Sequence, residues 1–303
     1  MYQNINFVNL PLHLLSFMSV DKPKVNFIFL LLSQIILFPA QPNIKLEVIG
    51  QAATNPDLAL FAPHENENVA NDYVIQQIIE RSGVFVILRQ DGKRLIRFDI
   101  EPFEVEIDPN RIFTELGRRK NIIKHNPTLR TNTYVFHRAM RLSAALAKLI
   151  VNSLGGAEPS STWLAIHNNT QGYSGDNKQG MGNISILQYQ QKLADGAAFI
   201  MAVSQQHGDE DDLFFVTEQQ DFNALQQSGW NAVLQHPQVV TDPTQDDGSL
   251  SVYAQKSGIR YINIEAERST DNFGENHLAE QQQMLDYVLN RLLSKNTNIN
   301  LSD

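Results

Sequence analysis

His64-Glu65-Asn66-Glu67 sets an imidazole and a carboxylate three residues apart, directly after the apolar run 58–62. Held at the end of a strand or in a first helical turn, two groups at that spacing converge on one Zn²⁺. A catalytic zinc takes a third protein ligand and keeps one position for water. Three later segments offer the remaining groups: Asp108-Pro109-Asn110-Arg111, Ile166-His167-Asn168-Asn169 and Tyr261-Ile262-Asn263-Ile264-Glu265. Those residue types, in that order, point to metal-assisted hydrolysis.

Other chemistries are poorly provided for. The 303 residues contain no cysteine, which excludes a Cys nucleophile, an iron–sulfur cluster, a thiolate zinc site and a disulfide framework. No Gly-x-Ser-x-Gly elbow, phosphate loop or Gly-x-Gly-x-x-Gly turn occurs, so serine hydrolases and nucleotide-binding folds are disfavoured. A formal net charge of -9 argues against nucleic acid as a partner, because such binding rests on clustered Lys and Arg.

The elements that must position these groups follow from periodicity. Runs 45–48 and 57–62 read as strands, and 68–81 as an amphipathic helix ended by Ser82-Gly83. Runs 84–88 and 95–100 flank Gln90-Asp91-Gly92-Lys93, and Asp-Gly there predicts a hairpin. A helix is expected over 134–154, stopped by Gly155-Gly156. Strand 162–166 leads into His167 and a polar, Gly-containing loop over 168–183. Strands follow at 198–203, 213–217, 231–235 and 261–267, with helices at 222–228 and 277–295. The acidic run 208–212 reads as a solvated loop. This alternation predicts an α/β three-layer sandwich, a mixed and mostly parallel sheet flanked by helices. Such folds gather their sites at the carboxyl ends of strands, where His64, His167 and Glu265 are expected. With 42% hydrophobic residues one core over 43–296 is affordable, and 297–303 is a polar tail.

Ahead of that domain, Lys22 and Lys24 precede an apolar run over 26–38, followed by Pro39 and Ala40. Residues 1–42 therefore read as a leader, with Met18 an alternative start. The expectation is an exported chain, periplasmic or secreted, without a stable membrane span once the leader is removed, and membrane-anchored if it is kept.

The four motifs in this order resemble the zinc carboxypeptidase family, the carboxypeptidase A-like metallopeptidases and related amidohydrolases, and in particular their uncharacterised bacterial members. The resemblance spans about residues 55–290 and implies a set of roles. His64, Glu67 and His167 would hold one Zn²⁺ per chain. Asp108 would accept the free ring N–H of His64 and fix its orientation. Glu265 would act as general base, with Glu267, two residues on along the same strand face, as the alternative. Arg111, assisted by Asn110, would clamp a substrate carboxylate. Arg97, with Arg94 as the other candidate, would stabilise the oxyanion, and Tyr253 would be a mobile tyrosine over the site. The implied activity is cleavage of an amide next to a free carboxylate, in a peptide or cell-wall peptide. The alternatives are deacylation of an N-acyl amino acid and an inactive binding protein on the same fold.

Overall fold

The structure, a computed structural model, describes residues 33–50, 56–79, 81, 83–170, 172–175, 182, 184–206, 208–268 and 278–293. In chain order its elements are β1 (Ser33–Leu37), β2 (Lys45–Gly50), β3 (Leu58–Ala62), α1 (Asn71–Ile79), β4 (Gly83–Arg89), β5 (Ile96–Ile100), β6 (Phe103–Ile107), α2 (Glu115–His125) and α3 (Tyr134–Ser153). There follow β7 (Thr162–Thr170), α4 (Ile186–Ala194), β8 (Ile200–Ser204), β9 (Leu213–Val216), α5 (Gln219–Gln227), β10 (Ala232–Gln235), α6 (Leu250–Lys256), β11 (Arg260–Arg268) and α7 (Leu278–Tyr287). Nine strands form one mixed sheet in the order β1-β2-β4-β3-β7-β11-β9-β10-β8. The run β4-β3-β7-β11 is parallel throughout, β9 and β10 are parallel, and β1, β2, β9 and β8 each add an antiparallel pairing.

Side-chain alternation explains why this sheet is covered on both faces. On β7, Trp163 and Ala165 enter one apolar layer, while Leu164 and Ile166 enter the other. β3 and β11 divide the same way, with Phe61 and Tyr261 on the first face and Leu60, Ile262 and Ile264 on the second. The second face is sealed by α1, α5 and α7 through Val74, Phe222, Met284 and Leu285. The first is covered in two parts. α2, α3 and α6 pack over the β1-to-β7 side through Ile122, Leu146 and Leu250. α4 packs separately through Ile186 against Ile200, Phe215 and Val233. A cleft opens between these two parts, above the carboxyl ends of β7 and β11.

The long helix α3 is bounded as its sequence suggests. Thr133 Oγ1 accepts the Phe136 N–H at 3.2 Å. The chain leaves through Gly155 at φ +95°, where a Cβ would also stand 2.0 Å from Pro56 Cδ, so only glycine fits.

The structure bears on three expectations. β4 and β5 do not form a hairpin. The chain turns at Gly92, φ +74°, but β4 already has β2 and β3 on its two edges. β5 pairs instead with β6 as a separate ribbon. Second, the run expected to close the leader continues into the fold. Ser33–Leu37 is β1, antiparallel to β2, and Phe38 is in the core. Residues 1–32 and the tail 297–303 lie outside the described residues. Third, the acidic run is solvated only in its first part. Asp211 and Asp212 are each 1% exposed.

Burying Asp211 has a consequence for stability. Burial, with Asp209, Glu267 and Glu210 nearby, pushes its carboxyl up to about 7. The folded chain therefore holds a proton that the unfolded chain has lost, and stability falls as pH rises from about 4 to about 7. Asp211→Asn is expected to be more stable than wild type above pH 7, by on the order of 1–2 kcal/mol. The two should converge near pH 4. Urea titrations at the two ends of this range check it; an advantage independent of pH would refute the assignment to ionisation.

Candidate metal centre and cleft

β3 ends at Ala62, and Pro63 carries the chain into a turn in which the Glu67 N–H donates to the His64 carbonyl at 3.0 Å. That turn brings the His64 and Glu67 side chains together, with His64 Nδ1 2.9 Å from Glu67 Oε2. The third group arrives on the neighbouring strand. His167 lies on the cleft face of β7, its Nδ1 2.8 Å from Glu67 Oε2 and 3.2 Å from His64 Nδ1. All three residues are buried.

The outer side of each imidazole is held. His64 Nε2 donates to Asp108 Oδ1 at 2.9 Å, which leaves His64 Nδ1 as a lone pair facing the other two atoms. Asn110 Nδ2 is 3.3 Å from His167 Nε2. Asp108 is fixed in turn. Its side chain accepts from Asn110 N at 2.9 Å, and Asn121 of α2 donates to its carbonyl at 2.8 Å. Charge follows geometry. Burial would raise the Glu67 and Asp108 carboxyls, but the adjacent His64, with His167 beside Glu67 and Arg111 and Arg94 beside Asp108, holds both well below the usual range. Burial alone would lower His64; Glu67 and Asp108 outweigh it and raise its pKa.

Two imidazole nitrogens and a carboxylate oxygen converging at 2.8–3.2 Å repel one another unless a cation or proton lies between them. With Zn–N and Zn–O bonds of about 2.0–2.1 Å, the edge of a tetrahedral site is about 3.3 Å. The donor set and its spacing fit a metal, and His64, Glu67 and His167 form a group able to hold one.

The candidate base is set by strand register. Glu265 is the Cα partner of His167 across the parallel β11–β7 pair, and Glu267 is the partner of Asn169. Glu265 therefore stands beside the metal group on the cleft wall, its Oε1 accepting from Asn263 Nδ2 at 2.9 Å. Glu267 is one side-chain repeat further along, buried beside Asp209 and Asp211. The rise along the strand separates two carboxylates that the sequence barely distinguished.

Asn110 and Arg111 both line the cleft. Arg111 Nη1 is 2.7 Å from Asp247 Oδ2, a half-exposed pair. Arg94, not Arg97, joins the site, its guanidinium bonded to Glu67 and 3.8 Å from Asp108 Oδ2. Arg97 projects from the ribbon face opposite the buried Ile96 and Phe98. It pairs with Glu104 at 3.0 Å and Glu106 at 3.5 Å, so the oxyanion role expected of it is corrected. Tyr253 is corrected as well: it stacks on Trp163, centroids 6.1 Å apart and rings 10° from parallel, and packs with the core. The tyrosines that do line the cleft are Tyr189 of α4 and Tyr261 of β11. Burial and the nearby Glu265 hold both phenols above their ordinary pKa, so they stay neutral donors. Nothing in the local sequence singles out Tyr189, since its place depends on how α4 packs.

No family model matches the chain, and no curated protein matches it. Among solved structures it is similar to the succinylglutamate desuccinylase from Chromobacterium violaceum, at 13% identity and a TM-score of 0.42, covering 83% of this chain and 68% of that one. It is also similar to the tripeptide-bound cell shape determinant Csd4 from Helicobacter pylori, at 13% identity and a TM-score of 0.39, covering 82% of this chain and 55% of that one. A third is an aspartoacylase family protein from Mesorhizobium loti, at 11% identity and a TM-score of 0.34, covering 89% and 70%. At these identities and scores the similarity concerns the course of the chain through the α/β sandwich, and no neighbour's activity passes to this chain with it.

Proposed function

We propose that the chain is a zinc-dependent hydrolase that cleaves an amide bond next to a free carboxylate, a carboxypeptidase-like enzyme acting on peptides. The carrying observation is the register that sets Glu265 beside His167, with His167, His64 and Glu67 converging on one point. Zn²⁺ held by His64, Glu67 and His167 would supply a Lewis acid for the scissile carbonyl and make water acidic near neutral pH. The rest belongs to the protein. The Glu265 carboxylate takes a proton from water and returns it to the leaving amine. Arg111 exchanges Asp247 for the substrate carboxylate, with Asn110 beside it. Arg94, next to Glu67, offers a cation to the developing oxyanion. Asp108 keeps the His64 ring in the orientation the metal needs.

A cleft of about 840 Å³ is large for a single acyl-amino acid and favours a peptide of several residues. We infer export from the basic and apolar segments ahead of residue 39. No helix among the described residues is long and apolar enough to cross a membrane. Removal of residues 1–42 would strip β1 from the sheet and bare the edge of β2, so N-terminal sequencing of exported material is informative.

The test is metal content followed by substrate profiling. About one zinc per chain is expected, with C-terminal trimming of peptides faster than deacylation of single N-acyl amino acids. The reverse preference would move the activity to the deacylase class. A chain that takes up no zinc on reconstitution would sink the hydrolase reading.

A further inference from the structure

We infer that Gln281, on the face of the sheet away from the cleft, is a positioning residue for the metal ligands, acting through Asn168; this rests on the metal reading of His64, Glu67 and His167. Gln281 belongs to α7 and is completely buried. Its helix neighbours Met284 and Leu285 sit in the apolar layer behind the sheet. An amide placed there costs stability unless both of its ends are bonded.

Both ends are bonded, and both bonds go to the ligand-bearing stretch of β7. Gln281 Nε2 donates to the His167 carbonyl at 3.2 Å. Gln281 Oε1 accepts from Asn168 Nδ2 at 3.1 Å. Asn168, buried as well, passes the connection on: its Oδ1 accepts the Val69 N–H at 3.3 Å. Val69 is two residues beyond Glu67. A relay of two amides thus ties the loop carrying His64 and Glu67 to the strand carrying His167, and anchors both to α7.

The place where this happens explains the need. The β3–β7 ladder ends at the pair Phe61–Ala165, whereas β7 continues to Thr170 beside β11. Beyond Ala165 the two ligand-bearing segments part, and no β3 ladder fixes their separation. Gln281 and Asn168 span that gap from behind, while the metal ligands meet in front.

Gln281→Met in the full chain keeps the length of the side chain and removes both bonds. The expected Zn²⁺ affinity, measured by competition with a chelating dye, is about 10–100-fold weaker. The thermal midpoint of the metal-free variant should fall by several degrees, since the His167 carbonyl and the Asn168 amide each lose a buried partner. Deuterium uptake at the Val69 amide in metal-free protein should rise roughly fivefold. A purely structural role would lower that midpoint equally but leave the folded chain's zinc affinity and the Val69 exchange unchanged. Where methionine lowers that midpoint substantially, Gln281→Leu repeats the measurement with a different shape. Zinc affinity within twofold of wild type, with unchanged Val69 exchange, overturns the relay. A wild-type chain that takes up no zinc overturns the metal reading itself, a separate outcome.

Discussion

Glu265→Gln is expected to retain zinc and to lose about 10²–10⁴-fold in kcat, while Glu267→Gln stays within a few-fold of wild type. The contrast is unusual because the two glutamates are two residues apart on one strand face. It follows from register: Glu265 shares its rung of the sheet with His167, and Glu267 shares the next with Asn169. The amide of the variant can still accept from Asn263, which holds Oε1 now at 2.9 Å, so positioning survives and only the proton acceptor is lost. Steady-state kinetics on one peptide substrate, with metal content measured in parallel, decide it. Equal losses in both variants, or full activity in Glu265→Gln, would remove Glu265 from the mechanism.

Loss of the metal should have a still larger effect. His64→Ala is expected to bind no zinc and to show no hydrolysis above background. Wild type saturated with zinc at a thousandfold excess over Kd gains about 4 kcal/mol relative to the stripped protein. Chelation should therefore lower its midpoint by on the order of 10 °C, and should leave His64→Ala unmoved. The convergence of His64, Glu67 and His167 on one point is the reason: the folded chain places three ligand atoms together that the unfolded chain does not, so the cation favours the folded state. A wild-type midpoint indifferent to chelator would mean that the three groups are content with a shared proton.

Much of this arrangement could be read from residues alone, for identifiable reasons. His64 just past β3, and His167 and Glu265 in the carboxyl-terminal halves of β7 and β11, could be placed because the apolar runs before them are long enough to be recognised as buried strands. The helix over 134–154 was equally plain, with regular apolar spacing and two glycines at its end. What failed depended on pairing. Asp91-Gly92 signals a turn correctly but carries no information about whether β4 has free edges, and it has none. Arg94 and Arg97 were inseparable until the alternation of Ile96, Phe98 and Ile100 sent Arg97 outward. Tyr253 was expected as a mobile tyrosine over the site, whereas Ser249 caps a short helix there that turns the ring onto Trp163. β1 was hidden because its apolar residues served equally well as the end of a leader.

On β7, Trp163, Ala165 and His167 point one way and Leu164, Ile166 and Asn168 the other. Core and chemistry are thus written in one parity, odd numbers forward and even numbers back. Any single-residue insertion or deletion between 162 and 166 that preserved strand pairing would exchange the two sets. It would send Asn168 into the cleft and an imidazole into the apolar layer behind. Substitutions along this strand can be graded one side chain at a time, but a shift in its length cannot. Among all changes to the chain, a one-residue indel here should be the least recoverable, and a two-residue change, which restores parity, should do less harm than its size suggests.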